Sequence, residues 1–141
     1  MDLQELGWND HFNNAHNNND LSHLSPARVT RCYRDLWIAR SETGEYEATI
    51  AGKFRHSQAG QQAGLPTVGD WVLIEPRADE PKATIHALLE RTSSFNRKAA
   101  ASGGLPESGG QTRAQALAAN VDVAFLISGL DHDFNIRRRI G

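Results

Sequence analysis

The sequence predicts an all-β barrel, on three observations made between Pro26 and Arg91. Five short segments of alternating or apolar character follow one another there, rich in β-branched and aromatic residues. Clusters of glycine, aspartate and other polar residues separate them. The gap between the third and fourth segments is longer than the others. This pattern predicts a five-stranded OB-fold barrel, and an SH3-like barrel remains the alternative because strand counting separates the two poorly.

The first three strands follow from side-chain alternation. Val29 to Tyr33 alternates, Arg34-Asp35 predicts a bend, and Leu36 to Arg40 forms the second strand. A turn at Glu42-Thr43-Gly44 leads to the clearest strand, Tyr46 to Phe54. Gly52 lies on its apolar face, which predicts a bulge or a barrel bend.

The last two strands follow a polar loop at residues 55–66. Val68-Gly69-Asp70 predicts a turn that leads into the fourth strand, Trp71 to Ile74. Residues 77–82 form a charged loop, and Ala83 to Leu89 alternates as the fifth strand. We expect Trp71 to belong to the core.

The segments outside the barrel have different characters. Leu3, Leu6, Trp8 and Phe12 have helical spacing, which predicts a short helix over residues 2–12 that packs on the barrel, followed by a polar linker. Residues 99–116 are rich in glycine and small side chains, which predicts a flexible linker. Val121 to Ile127 is a nearly continuous apolar run, typical of a strand buried on both faces of a sheet, and Ile136 to Ile140 could open a helix. The predicted parts are residues 1–25, 26–98, 99–116 and 117–141.

Composition limits the function classes. The 141 residues carry a net charge of −2, but residues 26–98 carry eleven Lys or Arg against nine Asp or Glu, a weakly basic balance. Cys32 is the sole cysteine, so no internal disulfide can form, which fits a reducing compartment. No apolar run approaches the ~20 residues of a membrane span. We expect a cytoplasmic monomer with no membrane partner.

Several short motifs occur in a characteristic order. They are Leu6-Gly7-Trp8, Ala27-Arg28-Val29, Ala51-Gly52-Lys53, Val68-Gly69-Asp70-Trp71-Val72, Glu90-Arg91-Thr92-Ser93, Leu117-Ala118-Ala119-Asn120-Val121-Asp122 and Asp133-Phe134-Asn135. In this order the chain resembles the N-terminal part of the ribosome small subunit-dependent GTPase A family, RsgA or YjeQ.

The resemblance implies both an architecture and a role. The family has an N-terminal OB fold, a circularly permuted GTPase domain and a C-terminal zinc domain, and uses GTP, Mg²⁺ and Zn²⁺. It acts in late maturation of the small ribosomal subunit, whose RNA the OB fold helps to bind. Residues 117–141 would then be the start of a truncated GTPase domain.

The motifs for GTP chemistry do not occur in this sequence. Gly52-Lys53 is followed by Phe54 instead of Ser or Thr, so it is not a phosphate-binding loop. No Asn-Lys-x-Asp guanine-reading motif and no zinc-ligand cluster is present. We expect that this chain neither binds nor hydrolyses GTP, and that it has no catalytic residue, cofactor or metal site of its own.

Candidate RNA contacts follow from OB-fold geometry, which places nucleic acid on strands two and three and the adjoining loops. Phosphates require cations, and bases require flat groups on which to stack. The candidates are Arg31, Arg34, Trp37, Arg40, Lys53, Arg55, Arg77, Lys82, Arg91, Arg97 and Lys98. Each arginine could instead be a solvated charge, and Trp37 could equally be core. A generic single-strand-binding barrel and a protein-adaptor barrel remain alternative functions.

Overall fold

A computed structural model describes residues 1–57, 60, 64–97, 115–127 and 129. The helices are α1 (Asp10–Asn17) and α2 (Gly52–Arg55). The strands are β1 (Ser25–Tyr33), β2 (Leu36–Ser41), β3 (Gly44–Ile50), β4 (Trp71–Pro76), β5 (Lys82–Leu88), β6 (Ser94–Arg97) and β7 (Gln115–Ala119). No helix in these ranges is long and apolar enough to cross a membrane.

The first five strands close into a barrel in the order β1-β2-β3-β5-β4, with β4 returning to β1. Every pair is antiparallel except β3 and β5, which run parallel. A parallel pair needs a crossover connection, and α2 with β4 supplies it. The predicted five-stranded OB barrel is therefore confirmed.

The barrel interior alternates small and large side chains. Val29, Trp37, Ile74 and Ile85 fill it, and alanines at positions facing them leave the necessary room: Ala27, Ala39, Ala48 and Ala83. A register shift between Val29 and Arg31 marks a bulge in β1. As a result, Arg31 and Tyr33 point outward beyond the bulge, whereas Cys32 pairs with the inward-facing Trp37.

The N-terminal helix lies later in the chain than predicted. Gly7 has a positive φ of 91°, and only at Asn9 does the backbone enter a helix, where the Asn9 side chain accepts hydrogen bonds from the backbone N–H groups of His11 and Phe12. The helix then runs through the segment predicted as a polar linker. Its packing agrees with expectation, because a second apolar cluster on the outer side of β4 and β5 contains the predicted residues Leu3, Leu6, Trp8 and Phe12 around Trp71.

The third strand is shorter than predicted. The backbone N–H of Ala51 donates to the carbonyl of Ile85, and from Gly52 the chain turns into α2. Phe54 is buried in this short helix, as it would also have been on the apolar face of a longer strand. Lys53 and Arg55 therefore lie on a helix beyond the strand, not at its end.

The C-terminal part departs from prediction. β6 and β7 form a two-stranded antiparallel ribbon, and Asn120 then adopts a φ of 54°, which ends the pairing. Residues 121–127 are irregular, with Phe125 and Ile127 about 86% and 85% exposed, so the buried strand predicted there is wrong. The predicted linker lies outside the described residues except for Gln115 and Ala116, which belong to β7, and the predicted helix start also lies outside them.

Candidate nucleic-acid interface

One outer surface of the barrel, formed by β1, β2 and β3, combines apolar, cationic and anionic side chains. The cross-strand register aligns Arg31 with Ile38, Ile38 with Glu47, and Glu47 with Lys82 of β5. Because side chains of one cross-strand row share a face, these four lie in a line across the sheet. We call the surface formed by Arg31, Tyr33, Leu36, Ile38, Glu45 and Glu47 the β1–β3 face.

The β1–β3 face is concave. Its six residues, with Tyr46 and Pro81, line an open cavity of about 490 Å³. This volume lies within the range of about 300–1,000 Å³ typical of clefts that hold small ligands. A second cavity of about 220 Å³ shares Leu36 and Glu47 with the first and is also lined by Arg77 and Lys82. The β4–β5 connection therefore supplies cations at one margin of the face.

The exposed aromatic ring of this face belongs to Tyr33. It is 56% exposed at the end of β1, and it was not among the predicted contacts. Trp37 was a predicted contact, but it is only 2% exposed. Its Nε1 donates a hydrogen bond of 2.9 Å to the carbonyl of Pro66. Trp37 is therefore core and offers no face to a base. Alternation along β2 could have predicted this burial, because it places Trp37 on the same side of the strand as Ala39 and Ser41, which are also buried.

The β1–β2 turn lies at the other margin. Arg34 is exposed there, next to Asp35, which adopts a φ of 62°. Nη2 of Arg55 lies 3.4 Å from Oδ1 of Asp35, which brings α2 to this turn. Lys53 is exposed on the same helix. Because both partners of the Arg55–Asp35 pair are exposed, the pair contributes at most about 1 kcal/mol, and Arg55 can readily exchange it for another anion.

Arg91 has a structural position, contrary to the prediction. Its Nε and Nη2 each donate a hydrogen bond of 2.7 Å to a different carboxylate oxygen of Asp70, which is fully buried. The hydrogen bonds that Arg91 donates to Asp70 raise the pKa of Arg91 above its ordinary value, so the guanidinium stays charged and paired. Arg91 is thus committed to holding the turn before β4.

Two further predicted cations, Arg40 and Arg97, line neither cavity. Arg40 is half-buried between Arg28 and Glu45 in the neighbouring cross-strand row, and its Nε is buried without a hydrogen-bond partner among the described atoms. Arg97 lies on the separate β6–β7 ribbon. Lys98 lies outside the described residues. The structure therefore gathers Arg31, Arg77 and Lys82 around the two cavities, with Arg34 at the adjoining turn.

Two carboxylates on the β1–β3 face restrict where phosphate can bind. Glu45 and Glu47 are exposed, lie two residues apart on β3 and line the larger cavity. They would repel a phosphate placed over the middle of the face. Phosphate contacts are therefore favoured at the two margins, and hydrogen-bond donors are favoured at the centre. Within the described part of the chain, no three His, Cys, Asp or Glu side chains are grouped so as to hold a metal ion.

Comparison with known proteins gives relatives along nearly the whole chain. It is 40% identical over 139 residues to a protein of Syntrophotalea carbinolica named "Small ribosomal subunit biogenesis GTPase RsgA". A protein of the same name from Opitutus terrae is 37% identical over 146 residues. Each alignment covers 98% of this chain but only 37% of the relative, so the chain spans little more than a third of their length.

No family model matches the chain. Among solved structures, that of YloQ, described as a circularly permuted GTPase, has a TM-score of 0.43 and 17% sequence identity, covering 55% of this chain and 26% of that one.

Proposed function

Because this chain is homologous to the RsgA small ribosomal subunit biogenesis GTPases over 98% of its length, we propose that it is an RNA-binding module that docks such a GTPase on the small ribosomal subunit. The relatives are named as GTPases, and the full-length protein would hydrolyse GTP during late maturation of that subunit. The chain itself, a cytoplasmic monomer in this proposal, contributes binding and needs no cofactor.

The observation that carries the RNA-binding role is the composition of the β1–β3 face. It joins a cavity, an exposed aromatic ring at Tyr33, and cations at opposite margins, Arg31 with Arg34 and Arg77 with Lys82. Stacking of a base on an aromatic side chain contributes about 1–3 kcal/mol. Cations at the margins supply the phosphate contacts that orient a strand. This surface also matches where OB folds bind oligonucleotides.

The charge balance makes a quantitative expectation possible. Six cations lie at the two margins: Arg31, Arg34, Arg77 and Lys82, with Lys53 and Arg55 on α2 beside the β1–β2 turn. They allow at most six phosphate contacts, and each contact with single-stranded RNA lowers the slope of log K against log salt by about 0.7, so the expected slope is no steeper than about −4.

Co-sedimentation with purified small and large ribosomal subunits across a salt series tests the proposal. We expect selective binding to the small subunit that weakens as salt rises. Arg34→Gln and Lys82→Gln should each weaken it, and their double substitution should weaken it further. Arg97→Gln, which removes one cation from the β6–β7 ribbon, is the control matched to each single substitution. Circular dichroism should show that all variants keep the barrel fold.

The alternatives give different results in the same experiment. Equal binding to both subunits would favour a generic single-strand-binding barrel. Binding that is independent of salt and unaffected by the double substitution would favour a protein adaptor. Either result would contradict the proposed function.

A further inference from the structure

Resting on the proposed function, we infer that the cavity of the β1–β3 face takes an unstacked guanine base of the RNA. The carboxylate of Glu47, with Glu45 beside it, accepts hydrogen bonds from the base edge, and Tyr33 stacks on the ring. The face would then read one base in addition to holding the RNA backbone.

Glu45 and Glu47 point to the same side of β3, because they are two residues apart, and both line the cavity. Neither forms a salt bridge with any of the residues that the structure describes. An ionised carboxylate only accepts hydrogen bonds. The centre of the β1–β3 face therefore presents strong acceptors with no ion-pair partner among the residues that the structure describes.

The Watson–Crick edge of guanine carries two adjacent donors, N1–H and the N2 amino group, which match the two oxygens of one carboxylate. Adenine and cytosine each place a ring-nitrogen acceptor beside their amino group, and uracil places its one N–H between two carbonyls. Proteins that read single-stranded RNA use these edges of splayed bases. Guanine is the base whose edge fits an acceptor pair without repulsion.

Ile38 lies between Arg31 and Glu47 in the cross-strand row, so two strand spacings of ~4.8 Å, roughly 10 Å in all, separate the backbone positions of Arg31 and Glu47. A nucleotide with its base at Glu47 can direct its phosphate towards Arg31. Tyr33 and Leu36 on adjacent strands provide the flat and apolar contacts beside Ile38. Across the sheet, the cavity thus offers a phosphate contact at Arg31, apolar and stacking contacts in the middle, and a base-edge contact at Glu47.

Fluorescence anisotropy with short labelled RNAs tests the inference. The probes are an oligouridine, and the same oligouridine with one central guanosine, inosine, adenosine or cytidine. Because a good bidentate contact discriminates between bases by roughly fivefold or more, we expect the guanosine probe to bind at least about fivefold tighter than the others. Inosine keeps N1–H but lacks the N2 amino group, so it should lose most of that advantage.

Variants separate base reading from general affinity. Glu45→Gln with Glu47→Gln should abolish the guanosine preference while oligouridine binding stays equal or tightens. Glu42→Gln with Glu90→Gln removes the same charge at exposed positions outside the cavity lining and is the matched control. Tyr33→Leu should weaken all probes by a similar factor, since stacking is tolerant of sequence.

Other outcomes overturn the inference without deciding the proposed function. Equal affinity for guanosine and inosine, an equal gain for all probes in the Glu45/Glu47 variant, or no binding of any short probe would each reject guanine recognition. Salt-dependent selection of the small subunit would still support the docking role in those cases. A preference for guanosine without selective binding to the small subunit would support the guanine site and contradict the proposed docking on the ribosome.

Discussion

Arg91 and Asp70 form a bidentate ion pair, with Nε and Nη2 each 2.7 Å from a separate carboxylate oxygen. Asp70 is fully buried and also accepts the backbone N–H of Thr67 at 2.8 Å. This pair joins the segment that follows β5 to the turn that precedes β4. Removal of the cation would leave a buried carboxylate with one remaining donor.

Arg91→Met should therefore destabilise the fold strongly. Breaking a buried pair by removing one partner costs about 3–5 kcal/mol, so we expect a loss near the lower limit because Arg91 is partly accessible. Urea denaturation measures the free energy of unfolding. Arg97→Met on the exposed ribbon should change it by less than about 0.5 kcal/mol. A similar small change for Arg91→Met would show that the pair is dispensable and would restore Arg91 as a candidate RNA contact.

Gly69 lies in the same turn before β4, where the barrel contacts the β6–β7 ribbon. Its φ is 92°, and an added Cβ would lie 2.0 Å from the carbonyl oxygen of Ala119, at the end of β7. The backbone carbonyl of the neighbouring Val68 accepts the N–H of Ala119 at 2.9 Å, which ties the β6–β7 ribbon to the barrel. The glycine is needed both for its backbone angle and for this close approach.

Gly69→Ala should loosen the ribbon and lower stability. The unfavourable backbone angle costs about 1–3 kcal/mol, and the clash requires that β7 move. Limited trypsin digestion should then show faster cleavage after Arg97. Gly52→Ala is the matched control, since no atom lies within 4 Å of its added Cβ and its φ is not positive. Equal digestion rates for the two variants would contradict the expected coupling.

Side-chain alternation predicted strands such as β5 well, because buried and less buried residues alternate along it, whereas β4 is apolar from Trp71 to Ile74 because the N-terminal segment covers its outer face. The five strands were placed within a few residues of their observed bounds, and Trp71 was correctly assigned to the core. Alternation cannot decide where a strand gives way to a helix when the burial of one residue satisfies both. Phe54 is such a residue, and α2 was therefore missed.

The candidate site was less predictable because it depends on pairing between distant segments. The roles of Arg91 and Trp37 are set by Asp70 and by the carbonyl of Pro66, which no local pattern reveals. The exposure of Tyr33 follows from the bulge between Val29 and Arg31, which shifts the phase of β1. Arg28, which bonds to the carbonyls of Gly69 and Asn120, went unnoticed because a lone strand arginine resembles any surface charge.

The N-terminal segment should contribute to the stability of the barrel. Phe12 is 2% exposed and packs with Trp8 on Trp71, the indole rings of Trp8 and Trp71 lying 4.7 Å apart between centroids. Phe12→Ala should lower the free energy of unfolding by about 3–5 kcal/mol. Deletion of residues 1–20 should lower the melting temperature, since it uncovers Trp71 and Leu73.

Asn13→Ala is the control for Phe12→Ala. It changes the next residue of α1, whose side chain is exposed, and leaves the apolar cluster intact. We expect a change within about 0.5 kcal/mol. If deletion of residues 1–20 left the melting temperature unchanged, the segment would not be part of the folded unit.

Cys32 should react slowly with alkylating reagents. Although Cys32 is exposed on β1, partial burial of its thiol, with a further contribution from the negative charge of Asp70, raises the pKa of that thiol above its ordinary value. A raised pKa lowers the fraction of thiolate, the reactive form, at any pH below it. The rate of iodoacetamide alkylation at pH 8 should therefore be lower than that of free cysteine, and should continue to rise above the pH at which free cysteine levels off. A rate that equals that of free cysteine throughout would show that the Cys32 thiol is fully solvated, and hence that β1 frays beyond its bulge.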